Sequence, residues 1–409
     1  MRIEVPHDTE RLGAVLVHGV QKVFELDSSL LESGTEESKI DQIIRPIAIQ
    51  ACHAIEREMA IVVPVHGERI KLVEGVLCGI PNHCLTIICS NSAREPVDRY
   101  AIELAAFLRY SHFTQKRLII VHQKDPTLAE AFRNAGFPQI LDERDGLIRS
   151  GKAEGMVLAT VLAKLAGSKA IGFVDSDNYF PGAVLEYVRE YSAGLSMSNS
   201  PYAMVRISWH SKPKVIEQGL FFARYGRTSR TTNRYLNQLI AEYSGFETEI
   251  ITTGNAGEHA MTMALAMQLD YSSGYSIEPY HFINLFEKFG GLDERALDRE
   301  MIRQNIEIFQ IESRNPHMHD VAKGDEHIDA MAYAAMRVIH DSPICPPKLR
   351  DELAEEIDRL LGRNLVHGEG PTAVRYYPTL SGIDLEAFRA TIRQQPYATH
   401  LLGDASQPS

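Results

Sequence analysis

The chain lacks any run of about 20 uninterrupted apolar residues, the length that a membrane span requires. Its opening, MRIEVPHDTERLG, brings charge from position 2 and has no apolar core of a signal peptide. The five cysteines, Cys52, Cys78, Cys84, Cys89 and Cys345, form no CxxC pair. That excludes a Cys-rich zinc module and points to reduced thiols rather than a disulfide framework. Basic charge is in deficit too: 42 Lys and Arg against 54 Asp and Glu give a net charge of -12. A general nucleic-acid binder is excluded on that ground, though a local basic pocket for a small anion is not. Internal repeats, low-complexity blocks and the GxxxxGK spacing of a phosphate loop are all missing, so a P-loop NTPase is excluded as well. The expectation is a cytoplasmic protein with neither nucleic acid nor membrane as partner.

What is present is a 409-residue chain, long enough for one large domain or two moderate ones. Short apolar runs alternate with helix-period segments over its first two-thirds. The pattern predicts strands at Met59–Val65, Cys84–Ser90, Arg117–His122 and Ala170–Val174, and helices at Glu68–Ile80 and Lys152–Ala166. This alternation predicts an α/β fold with a largely parallel sheet and helices on both faces. Ligands of such sheets sit outside the carboxyl ends of the strands. Val65–Glu68, Ser90–Ser92 and Asp175–Asp177 all fall at such ends and should face one crevice. Beyond Ala203 the reading is two strands, YAMVRIS and GLFFARY, joined by the polar WHSKPKVIEQ, then a strand at Ile306–Glu312 and helices at Asp325–His340 and Lys348–Leu361. Ser28–Lys39 reads as a surface loop and Gly403–Ser409 as a disordered tail.

Five stretches carry residues suited to chemistry. IGFVDSDNYFP (Ile171–Pro181) ends an apolar strand in two aspartates one residue apart. A hard divalent cation would relieve their repulsion, whereas the alternative is a turn that caps a helix near Pro181. RSGKAEG (Arg149–Gly155) places Lys152 on a first helical turn, where backbone N–H groups favour an anion; a solvated lysine is the competing reading. Between Arg206 and Arg234 lie Arg206, Lys212, Lys214, Arg224, Arg227, Arg230 and Arg234, with Glu217 the only acid. The glycine and hydroxyl residues of YGRTSRTTN turn that interval toward a phosphorylated ligand rather than a solvated face. In NAGEHA, Glu258 is read at a helix start, either to orient a sugar hydroxyl or as a charge complementing the dipole. In ESRNPHMHD, His317 and His319 follow a strand, and one imidazole reaching Asp177 would make a mixed site for Mg, Mn or Zn.

Taken in order, VVPVHGERIKLVEGV, HQKDPTLAEAF, IRSGKAEGM, GFVDSDNYFPGAV, GRTSRTTN, TGNAGEHAM and FQIESRNPH resemble the mannosyl-3-phosphoglycerate synthases. The resemblance runs to about His340. It implies a GT-A type glycosyltransferase fold that moves mannose from GDP-mannose to 3-phosphoglycerate with retention, yielding a precursor of the compatible solute mannosylglycerate. It further implies a donor region at residues 1–200, an acceptor- and metal-binding region at 201–340, and a helical extension at 341–409. Carried over by residue, it assigns Pro64, Val65, Glu68, Ser90 and Asn91 to the nucleotide, and Lys152 to the diphosphate. Asp175, Ser176 and Asp177 go to ribose, diphosphate and metal. Gly226, Arg227, Thr228 and Ser229 go to the phosphoglycerate, and Glu258 to the sugar and acceptor. The loop histidines complete the metal site, His319 ahead of His317. The implied cofactor is a divalent metal, Mg2+ before Mn2+, Co2+ or Zn2+, and the expected assembly is a homodimer. In one place the chain departs from the family pattern: His66–Gly67 stands where a basic residue and asparagine usually precede the glutamate. The rivals are a glucosyl-3-phosphoglycerate synthase, a sugar-phosphate nucleotidyltransferase and a metal-dependent phosphohydrolase.

Overall fold

The computed structural model describes residues 1–26, 44–178, 180–216, 219–223, 226–292, 299–318, 325–364 and 373–397. The Ser28–Lys39 loop, the tail from Gly403 and His319 therefore lie outside the described residues.

The strands in chain order are β1 (Arg2–Glu4), β2 (Thr9–Leu12), β3 (Val15–Glu25), β4 (Ile44–Pro46), β5 (Met59–Val65), β6 (Leu85–Ser90), β7 (Leu118–His122) and β8 (Ala170–Phe173). They continue with β9 (Ala203–Ser208), β10 (Lys212–Ile216), β11 (Gly219–Ala223), β12 (His259–Thr262), β13 (Tyr271–Ser272), β14 (Ile306–Glu312) and β15 (Tyr376–Tyr377). The helices are α1 (Ile49–Arg57), α2 (Ile70–Gly79), α3 (Arg99–Thr114), α4 (Pro126–Asn134), α5 (Lys152–Leu165), α6 (Pro181–Met197) and α7 (Arg227–Ser244). Then come α8 (Met263–Ala266), α9 (Ile277–Phe289), α10 (Arg299–Gln304), α11 (Asp325–His340), α12 (Pro347–Asn364) and α13 (Leu385–Ile392).

An 11-stranded sheet runs through the molecule in the order β4-β1-β3-β14-β9-β12-β8-β5-β6-β7, with β2 beside β3. From β3 to β7 the strands are parallel except for β12, which pairs antiparallel with β8 on one side and β9 on the other. The parallel half is what uninterrupted apolar strands produce when helices cover both faces. Along β5, Ala60 and Val62 enter one apolar cluster, while Met59, Ile61, Val63 and Val65 enter the other. The first cluster packs under α4, α5, α7, α9, α12 and α13, and the second under α1, α2, α3 and α6. Each fully buried Val or Ile contributes about 1.5–3 kcal/mol, so the two layers fix the sheet from both sides.

The predicted strands and helices appear within three residues of their expected ends. One expectation fails: the polar segment before GLFFARY is no simple connection. Its Lys212–Ile216 part forms β10, which pairs antiparallel with β11 as a hairpin apart from the main sheet. No helix among the described residues is long and apolar enough to cross a membrane.

Candidate active site

Because β12 runs against its neighbours, its first residue lies at the carboxyl edge of the sheet. His259 is in register with Phe173 at the end of β8 and with Arg206 near the end of β9. Glu258 thus arrives beside the Asp175–Asn178 turn. This corrects the expectation of a helix start for NAGEHA: the segment leads into a strand. Glu258 is fully buried and accepts hydrogen bonds from Asn178 Nδ2 (2.9 Å) and Trp209 Nε1 (3.0 Å). Burial first, then the nearby Asp175 carboxylate, pushes its pKa up to about 7.

Lys152 opens α5, a helix buried along nearly its whole length. Its ammonium pairs with Asp175 Oδ1 at 2.7 Å and Glu278 Oε1 at 2.8 Å. Burial works against that charge, but the two carboxylates hold the lysine pKa well above its usual value. Gly257 closes over this pair. A Cβ there would stand 2.6 Å from Asp175 Oδ2 and 3.1 Å from Lys152 Nζ, so no larger residue fits without displacing one of them. Glu154, one turn into α5, accepts from Tyr377 Oη at 2.7 Å, so the C-terminal extension braces the helix that carries Lys152.

Ser176 and Asp177 are buried at the tip of the turn. His317, beyond the end of β14, is also buried; its Nδ1 shares a hydrogen bond with Tyr187 Oη (3.2 Å) and lies 3.9 Å from Glu258 Oε2. Trp209, just past β9, stacks on the His317 ring with centroids 4.4 Å apart and planes at 22°. The Lys212 ammonium lies 3.7 Å from the centre of the same indole. Trp209, Glu278 and Tyr187 were not legible as site residues in the sequence, since each meets its site partner only across a long stretch of chain; Asn178 adjoins Asp177, but its partner Glu258 lies 80 residues away.

A second network lies at the ends of β5 and β6. Gly67 has φ +79, a conformation that favours Gly or Asn, which accounts for the glycine in His66–Gly67. Gly67 N donates to Ser92 Oγ (2.8 Å), and the Ser92 and Ser90 hydroxyls both donate to the buried Glu103 carboxylate (2.6 and 2.7 Å). His66 Nδ1 donates to Asn91 O (3.0 Å), Asn91 N to Val65 O (2.8 Å), and His66 N to Glu68 Oε2 (2.6 Å). Pro64, Val65, Glu68, Ser90 and Asn91 are therefore parts of one shelf beside the DSD turn's strand, as the order β8-β5-β6 requires.

The basic interval does not act as a unit. Arg206 is fully buried, donates to the carbonyls of Thr253, Gly254 and Glu278 and lies over the Phe282 ring, a role in folding that leaves no phosphate contact. Gly226 is the residue before α7, with Thr228 and Ser229 buried in its first turn. The side chains of Arg227, Lys214 and Arg224 lie outside the described residues. Asn233 on α7 accepts from Gly254 N (2.8 Å), which ties this helix to the segment leading to Gly257 and Glu258.

Asp177 and His317 offer carboxylate and imidazole donors on two loops of this edge, while Asp175 is engaged by Lys152. They do not close into a three-donor cage; the described group with all donor atoms within 4.8 Å is His53, Glu56 and His83, elsewhere in the fold. An incomplete protein set of this kind fits a hard cation whose remaining ligands are substrate phosphates and water.

An antiparallel strand set into a parallel sheet, with acids and a lysine gathered at its amino end, defines a GT-A type glycosyltransferase. Residues 5–392 match the family model for mannosyl-3-phosphoglycerate synthase. The chain is 42% identical to the mannosyl-3-phosphoglycerate synthase of Pyrococcus furiosus, over 96% of its own length and 97% of that protein. It is 34% identical to the enzyme of the same name from Aeropyrum pernix, over 88% and 90%. The chain belongs to the mannosyl-3-phosphoglycerate synthase family. Among solved structures it resembles in fold the glucosyl-3-phosphoglycerate synthase of Mycobacterium tuberculosis in complex with Mn2+, UDP-glucose and phosphoglyceric acid. That likeness has a TM-score of 0.51 at 16% identity and covers 82% of this chain and 95% of the other.

Proposed function

We propose that this enzyme transfers mannose from GDP-mannose to the 2-hydroxyl of 3-phosphoglycerate with retention at the anomeric carbon. The observation that carries the reading is the convergence of Lys152, Asp175, Asn178 and Glu258 around Gly257 at the sheet's carboxyl edge. The β5 and β6 shelf takes the nucleotide, with Pro64, Val65, Glu68, Ser90 and Asn91 about it and Ser176 on the ribose and diphosphate side. The start of α7, Gly226 to Ser229, takes the phosphoglycerate. Residues 1–200 thereby serve as the donor half and 201–340 as the acceptor half of one continuous sheet, with 341–409 as an extension. The enzyme acts in the cytoplasm as a homodimer.

Asp177 and one of the loop histidines, His319 or His317, with Asp175 in support, would hold a divalent metal, Mg2+ or Mn2+. When bound, that ion supplies positive charge against the donor diphosphate. Lys152 adds a fixed charge toward the same leaving group without proton transfer. The acceptor oxygen forms its bond to the anomeric carbon as the sugar–phosphate bond breaks on the same face, and its proton passes to the departing phosphate oxygen. Glu258 is a poor covalent nucleophile in this arrangement, because both of its oxygens accept hydrogen bonds and burial keeps its pKa high. It orients the sugar and acceptor instead.

Mass spectrometry of products tests the reading directly. The protein is mixed with 3-phosphoglycerate, Mg2+ and competing GDP-mannose, GDP-glucose and UDP-glucose, with an EDTA control. A phosphorylated mannosyl-glycerate that vanishes with EDTA supports it. A glucosyl product moves the donor assignment, and intact donors overturn the transferase reading. Asp177→Ala should abolish product while leaving the fold unchanged.

A further inference from the structure

At the opposite edge of the sheet, where β5 and β6 begin, two imidazoles meet a buried carboxylate. His53 and Glu56 lie three residues apart on α1 and so share a helix face. His83 comes from the turn before β6. The donor atoms of the three lie within 4.8 Å of one another. We propose that His53, Glu56 and His83 form an accessory site for a borderline divalent ion such as Zn2+, separate from the catalytic crevice.

The chemistry of the donors supports this. Glu56 has no exposed surface, and its carboxylate is oriented by Arg189 Nη1, 2.7 and 2.6 Å from its two oxygens, and by Ser192 Oγ at 3.0 Å from Oε1. Oε1 accepts from both Arg189 and Ser192, while Oε2 also accepts from His83 Nε2 at 2.5 Å, through a proton that a bound ion would displace as the imidazole shifts. A carboxylate held by hydrogen bonds from behind is the usual support for a metal ligand. The His53 and His83 rings meet at 64° with centroids 5.1 Å apart, edge toward face. Both rings are half-buried, leaving a solvent side for a water ligand. Two imidazoles and one monodentate carboxylate with an open fourth position suit Zn2+ and not Mg2+. Arg189 already neutralises Glu56, so the bound ion is exchangeable rather than permanent. The six residues of β6 put about 20 Å between this cluster and the strand ends that carry the nucleotide shelf.

The test is calorimetric titration of the chelator-stripped full-length protein with Zn2+, and Co2+ absorption as a second readout. Wild type should bind one more equivalent of Zn2+ than His53→Gln/His83→Gln, and Zn2+ should raise its Tm more. Transfer with Mg2+ should be equal in both. His53→Gln alone should weaken the site by at least about 10-fold, the loss expected even for a second-shell partner. This single exchange on a half-exposed ring keeps the test available where the double variant does not fold. Equal stoichiometry and affinity in wild type and variants would overturn the proposal, leaving the His83–Glu56 contact as a hydrogen bond only.

Discussion

Lys152 and Asp175 are joined by a 2.7 Å ion pair that passes beneath the α-carbon of Gly257. The pair exists only because that residue has no side chain. Gly257→Ala should therefore lower kcat by about 100-fold or more, since a displacement of about 1 Å in a catalytic group costs that much. The Tm should change far less than the rate. A variant with wild-type kcat would show that the pair is not the functional arrangement.

Lys152→Ala should damage both activity and stability. It leaves the Asp175 and Glu278 carboxylates facing each other without a cation, and breaking such a buried pair costs about 3–5 kcal/mol. Loss of a charge aimed at a leaving group lowers kcat by a further factor of about 100–1,000. Urea unfolding and steady-state kinetics separate the two effects. Glu278→Gln should recover part of the lost stability in the double variant and none of the lost rate.

The pH dependence of stability follows from Glu258. Its carboxyl titrates near 4.5 in the unfolded chain and at about 7 in the folded one. A raised acid pKa means that the ionised group is penalised in the fold. The penalty is absent below pH 4.5, grows through the interval and is complete above pH 7. Glu258→Gln should thus raise the Tm above pH 7 and lose that advantage near pH 4.5. A Tm difference independent of pH would show that Glu258 is not so buried.

Trp209 is the one tryptophan of the chain, so intrinsic fluorescence reads a single place in the molecule. Its stack on His317 should quench the indole. His317→Ala should raise the emission of the substrate-free protein, with the spectrum still that of a buried indole. Unchanged intensity would mean that the stack does not form in solution.

Much of the fold is legible in the chain because each element states its own reason. Met59–Val65 and Ala170–Phe173 are apolar at nearly every position, so they read as strands covered on both faces. Pro181 and the turn before it mark the start of α6. The DSD turn and Lys152 stand out because charged residues interrupt those apolar runs at a strand end and a helix start. Glu258 was found but misplaced. Four residues of β12 carry too little period to tell a strand from a helix, and the helix preference of GEHAM misleads. Arg206 was grouped with its basic neighbours, and only burial among the carbonyls of three distant residues shows that it belongs to the core.

The sequence by itself determined the alternation of strands and helices, the apolar faces that stack them and the strand ends where polar residues gather. These are local matters of period, turn chemistry and burial preference. Tertiary structure decided which groups meet. Glu278 reaches Lys152, Trp209 and Asn178 hold Glu258, and Tyr377 braces Glu154 across more than 200 residues of chain. The physical reason is β12, the one strand between β3 and β7 in the sheet order that runs antiparallel to its neighbours. Its reversed direction brings the glutamate and glycine before it to the edge where the parallel strands end, and no local pattern records the direction in which a strand is inserted.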